Sequence, residues 1–178
     1  RPAGILAMWH TPSDLYLDPV QIPLGYARAA ERRGAALLPE TEVTGIAIQN
    51  GEVTGVTTNR GEIRAPVVVD AAGAWARLIG ERAGVRIPVV PVRHQLMITE
   101  PIAGVDNSQP ICRVIDANVY VRPDRGGLML GGYEPDPHAY DMRGVPPGFQ
   151  IKDLPLDLTV LRSLAERVRD VFPALVDA

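Results

Sequence analysis

The chain has 178 residues, enough for one good core or for parts of two smaller ones. An apolar share of 46% and a charged share of 22% are those of an ordinary globular protein and argue against disorder. The net charge of −3 supplies no basic field for nucleic acid, and no apolar run approaches the roughly 20 residues that span a bilayer.

The chain opens on Arg1-Pro2-Ala3-Gly4, with no initiator Met and no charged region leading into an apolar one, so it reads as beginning mid-protein. The first helix signal is Asp18-Pro19, a capping residue followed by one suited to the first helical position. Val20, Leu24 and Ala27 recur at helical spacing and Gly34 is the stop; Pro23 is an alternative start. Val43, Ile46 and Ile48 lead into Asn50-Gly51, a hairpin turn, and a strand over 53–58. Arg60-Gly61 turns the chain again into a short strand over 62–65, completing a three-stranded meander.

Val67-Val68-Val69 is wholly apolar, as expected of a strand buried on both faces. Ala71-Ala72-Gly73 breaks it, and residues 75–83 continue at helical period to Gly84, giving one strand-to-helix unit of an α/β domain. A boundary is expected near residues 84–90, with one domain portion over 1–87 and another over 88–178. Beyond Pro88, residues 89–99, 111–115, 118–122 and 128–133 read as strands of a largely antiparallel sheet. A Pro- and Gly-rich loop over 134–153 precedes a last helix. Its stripe is Leu158, Leu161, Leu164, Ala165, Val168 and Val171, and Pro173 stops it.

The single Cys112 excludes an internal disulfide and reads as a buried bystander, and a reducing, cytoplasmic setting suits it. His10, His94 and His138 are too scattered for a metal motif, so no metal site is expected. The turn Asp70-Ala71-Ala72-Gly73-Ala74-Trp75 lets backbone approach a ligand closely, and the following helix start offers free N–H groups. The plain alternative is a tight turn, and G-x-G-x-x-G occurs nowhere. Alternation puts Tyr120 and Arg122 on one face of their strand, and Tyr133 and Glu134 end the neighbouring strand after two glycines. An Arg, two Tyr and a carboxylate suit a small zwitterion; a solvated sheet face with a surface ion pair is the alternative. His94 has the reference pKa for proton work near neutrality, though a lone strand His is often only packed.

In order along nearly the whole chain, these stretches resemble the D-amino-acid-oxidase superfamily of FAD enzymes, most closely its dimethylglycine and sarcosine dehydrogenase-like branch. The resemblance rests on Thr11-Pro12-Ser13-Asp14 with Asp18-Pro19, Val43-Thr44-Gly45-Ile46 and residues 67–75. It continues through Pro91-Val92-Arg93-His94-Gln95, Val119-Tyr120-Val121-Arg122-Pro123 and Gly131-Gly132-Tyr133-Glu134. It implies an α/β (α+β) fold: part of a Rossmann-like FAD domain with a β-meander, interleaved with a mainly antiparallel substrate sheet. It implies FAD as cofactor, with Val43, Ala72, Gly73 and Trp75 on the cofactor side. It places Tyr120, Arg122 and Tyr133 on the substrate side, with Glu134 and His94 as catalytic candidates; related amine oxidases carry His where this chain has Glu134.

The implied reaction is oxidation of a small secondary or tertiary amine or amino acid by hydride transfer to flavin. The alternatives are the same fold acting on a hydroxy acid or glycerol phosphate, and a binding module without catalysis. The family's N-terminal phosphate-binding unit has no counterpart here, so the chain corresponds to the middle of such an enzyme. Alone it is expected to be inactive, not to retain FAD, and to self-associate through the bare strand over 67–69.

Overall fold

A computed structural model describes residues 4–146 and 148–176, which divide into two compact units. One takes residues 16–91 and 141–145; the other takes the described residues of 1–15, 92–140 and 146–178.

In the first unit, helix α1 spans Gln21–Glu31. Asp18 does act as a cap, but of the turn before the helix: its carboxylate accepts the Val20 amide at 3.1 Å and its carbonyl the Gln21 amide at 3.0 Å. Pro23 falls in the first helical turn, where no amide has an intrahelical acceptor to lose. The helix stops at Gly34, whose φ of 90° only glycine adopts freely. The meander forms as read, from β1 (Val43–Gln49), β2 (Glu52–Thr58) and β3 (Gly61–Arg64), all antiparallel. Asn50 and Gly51, at φ 53° and 83°, make the primed turn between β1 and β2.

The buried strand expected over 67–69 does not form. Val67 is 73% and Val69 82% exposed, and none of the three sheets includes them. A strand apolar on both faces needs neighbours on both sides, and the described residues supply none. After it comes a 3-10 turn over Gly73–Trp75 and helix α2 (Ala76–Arg82), ended by Gly84 at φ 72°.

The second unit is built on four antiparallel strands in the order β5-β8-β7-β6: β5 (Leu96–Ile98), β6 (Cys112–Val114), β7 (Val119–Asp124) and β8 (Gly127–Gly132). The single strand expected over 89–99 is instead two. Val92–Arg93 (β4) pairs with His138–Ala139 (β9), a strand inside the segment expected to be loop, and β5 joins the larger sheet. The last helix, α3 (Leu158–Glu166), is capped by Asp157, whose carboxylate accepts the amides of Thr159 and Val160. It is shorter than its stripe: turns carry Val168 into the core, while Leu158 is 56% exposed. One face of the sheet (Val119, Val121, Leu128, Leu130) packs on Leu164, Ala165, Val168 and Leu175. Cys112 lies half-buried across from Val121, and burial pushes its thiol pKa up, so it stays a protonated bystander. The fold is thus mixed α/β with antiparallel sheets. Among the described residues no helix is long and apolar enough to cross a membrane.

Candidate functional site

The site candidates of the second unit lie on the sheet face turned away from α3. Strict alternation along β7 buries Val119, Val121 and Pro123 and leaves Tyr120, Arg122 and Asp124 half-exposed on the other side. Tyr120 stands opposite Gly131 on β8 and Arg113 on β6. Gly131 is the permissive residue, because a Cβ there would fall inside the end of the Tyr120 ring. Gly132 serves the opposite face, where a Cβ would meet Leu164 Cδ2 and the Asn118 carbonyl, each at 2.9 Å.

From Tyr120 the side chains run in contact toward the end of β8. The Tyr120 and Tyr133 rings lie 6.4 Å apart at 55°, and Tyr133 meets the His94 ring edge-on at 5.0 Å and 75°. His94 Nδ1 is 2.8 Å from Glu134 Oε2. Burial, with the Glu134 side chain 12% exposed, raises this carboxyl's pKa. The His94 hydrogen bond, a backbone hydrogen bond and the nearby charges of His94 and Arg93 together outweigh it and hold the pKa below the usual carboxylate value. Glu134 is therefore an anion at neutral pH, which makes Nδ1 the donor of this bond. The Tyr120 phenol is pushed the other way, up, by burial and by Tyr133.

Arg122 shares the Tyr120 face but is already engaged. Its Nη1 donates to the Pro123 carbonyl at 3.0 Å and to Asp124 Oδ1 at 3.3 Å. Arg113, a residue the sequence pattern did not single out, stands on the same face with no ion pair among the described residues. Its place follows from the register of β6 on β7, which no local signal announces. The structure thus brings His94, Tyr120, Tyr133 and Glu134 together and sets Arg122 further along the same face. His10 lies exposed in another segment. Among the described residues no group of three His, Cys, Asp or Glu is placed to hold a metal ion.

The remaining candidates lie in the first unit. Asp70 Oδ1 accepts the Ala72 amide at 3.0 Å, and the Trp75 amide donates to the Ala72 carbonyl at 3.0 Å. The Gly73 and Ala74 amides have no acceptor among the described residues, and Gly73 is exposed with open space around its α-carbon. Asp70 Oδ2 is buried without a donor. The Val43 carbonyl accepts a hydrogen bond from the Arg82 guanidinium. Free amides beside bare backbone, with an orphaned acceptor next to them, fit a ligand that brings both acceptors and donors, as FAD does. The Asp70 charge directs the donors of such a ligand, not its phosphates, to that oxygen.

The model of one protein family, described as DAO, FAD dependent oxidoreductase, matches residues 1–178. The chain belongs to that family. Human mitochondrial dimethylglycine dehydrogenase is 31% identical to it over 182 residues, covering 98% of this chain and 21% of that protein. Human mitochondrial sarcosine dehydrogenase is 40% identical over 133 residues, covering 72% of this chain and 14% of that protein. The crystal structure of L-proline dehydrogenase from P. horikoshii aligns with a TM-score of 0.69 at 32% identity, over 90% of this chain and 40% of that one. The chain therefore spans a minor part of the length of each of these DAO relatives.

Proposed function

We propose that the full-length protein oxidises a small secondary or tertiary amine or amino acid, of the sarcosine or dimethylglycine kind, at the carbon next to nitrogen. The observation that carries this reading is the Glu134 carboxylate, ionised and bonded to His94, whose ring packs edge-on against Tyr133, itself next to Tyr120. An anion with aromatic residues close by suits a substrate ammonium through charge and cation–π attraction. His94, paired with the Glu134 anion, takes the ammonium proton, and the freed nitrogen lone pair then assists departure of the neighbouring C–H bond as hydride. Arg122, braced by Asp124, orients the substrate carboxylate. Bound FAD supplies the acceptor for the hydride, and Val43, Ala72, Gly73 and Trp75 are the residues we place against it.

A hydroxy acid or glycerol phosphate brings no cation to Glu134, so the anionic wall favours the amine. A binding module without catalysis has no need of a carboxylate–imidazole pair. The names of the dimethylglycine, sarcosine and L-proline dehydrogenases support the amine class for this chain as well. The compartment we propose from the single unpaired cysteine is the cytoplasm, whereas the names of the two human relatives carry a mitochondrial setting. Steady-state kinetics of the full-length protein with sarcosine, dimethylglycine and L-proline against lactate and glycerol 3-phosphate test the reading. Turnover confined to the amines is expected; turnover of lactate or glycerol 3-phosphate alone refutes it.

A further inference from the structure

His94 sits at a joint. β4 ends at Arg93 and β5 begins at Leu96, and the two strands belong to different sheets, so no strand pairs with residues 94 and 95. The flanking side chains do the holding instead. Gln95 is 7% exposed; its Oε1 accepts the Asp157 amide at 2.6 Å and its Nε2 donates to the Asp157 carbonyl at 3.3 Å. One side-chain amide thereby meets both backbone groups of a single residue, as a neighbouring strand would. Arg93 Nη1 grips the Pro155 carbonyl at 2.6 Å, two residues upstream. Asp157 in turn caps α3, which is anchored in the core by Leu161, Leu164 and Ala165.

The side chains of Arg93 and Gln95 thus reach segment 155–157, while His94 between them reaches Glu134. We propose that Gln95 is a positioning residue for the reaction: it ties the joint to the entry of α3 and so sets the His94–Glu134 geometry, with Arg93 as the second tie. This rests on the reading of His94 and Glu134 as the proton-handling pair. A Gln95 that merely satisfies two buried backbone groups stabilises α3 without coupling to His94, and the two roles separate in a mutant cycle.

In the full-length protein, with sarcosine as the probe substrate, kcat/KM is compared for wild type, Gln95→Ala, His94→Ala and the double variant, each with its thermal midpoint. Gln95→Ala is expected to lose roughly tenfold to 100-fold, the scale of a misplaced catalytic group. In the His94→Ala background the same change should cost no further activity, although the midpoint falls in both backgrounds. Gln95→Glu keeps the acceptor for the Asp157 amide and should recover part of the loss; it carries the comparison if Gln95→Ala does not fold. A Gln95 loss that multiplies in full on top of the His94 loss overturns the proposal. Should His94→Ala leave sarcosine turnover unchanged, the proton-handling reading fails by itself. Coupling is then read from the His94 imidazole resonances, and a spectrum of His94 unmoved by Gln95→Ala overturns the positioning role.

Discussion

Replacing Glu134 with Gln is the sharpest test of the amine reading. The amide is nearly the same size and its oxygen still accepts from His94 Nδ1, so the local packing is kept while the charge is removed. Two unit charges about 4 Å apart attract by roughly 1 kcal/mol in bulk water and roughly 4 kcal/mol at the effective dielectric of a protein surface site. The Glu134 side chain is 12% exposed, which places it toward the second limit. A loss of at least about fivefold, and up to roughly 900-fold, in kcat/KM for a cationic substrate follows from that energy. The assay is steady-state turnover of sarcosine near neutral pH, with the thermal midpoint measured alongside to show that folding is intact. Retention of kcat/KM within about threefold, below 1 kcal/mol, means that no substrate cation meets Glu134 and removes the basis for choosing amines over hydroxy acids.

Three other outcomes are expected. Arg122→Ala in the full-length protein should lower kcat/KM for sarcosine by an amount equivalent to about 1.5–3 kcal/mol while sparing an amine without a carboxylate; equal losses on both remove Arg122 from substrate binding. The Glu134 carboxyl has its folded pKa depressed below the ordinary 4.5. The stability it contributes is therefore complete above that value and is lost as pH falls through the folded pKa. Acid unfolding curves of wild type and Glu134→Gln should accordingly converge at low pH, and a gap that widens on acidification refutes the assignment. The 178-residue chain purified alone should be colourless and should associate through the apolar run at 67–69; a flavin band in its absorbance spectrum, or monomeric light scattering without hydrophobic dye binding, contradicts each part in turn.

Features written in neighbouring residues were legible in the sequence. Asn50-Gly51 specifies its turn because both residues tolerate positive φ, and the Tyr120/Arg122 alternation holds because a pleated strand has period two. What escaped depends on partners distant along the chain. Val67 to Val69 is apolar enough for a strand, yet a strand also needs neighbours, and none is described. Arg113 joins the Tyr120 face through a strand register that its own neighbours do not encode. Gln95 meets Asp157 across 62 positions, so nothing near either residue announces the pair. The break at residues 94–95 was hidden for a related reason: nothing in 92–99 marks a turn, and the split arises because its two halves pair with different strands.

The paired glycines at the end of β8 leave that stretch of sheet with no side chain on either face, so the site and the core are separated by bare main chain. Leu164 approaches Gly132 from one side and the Tyr120 ring covers Gly131 on the other. Elsewhere in the sheet, side chains on both faces absorb a change of volume by shifting rotamers; here the peptide plane has to travel. Ancestral drift or engineering at Leu164 therefore propagates to the aromatic wall as displacement rather than as repacking. An enlarged residue at 164 is expected to shift the Tyr120 ring while never touching the substrate, so an interior helix position bears on the shape of the proposed site.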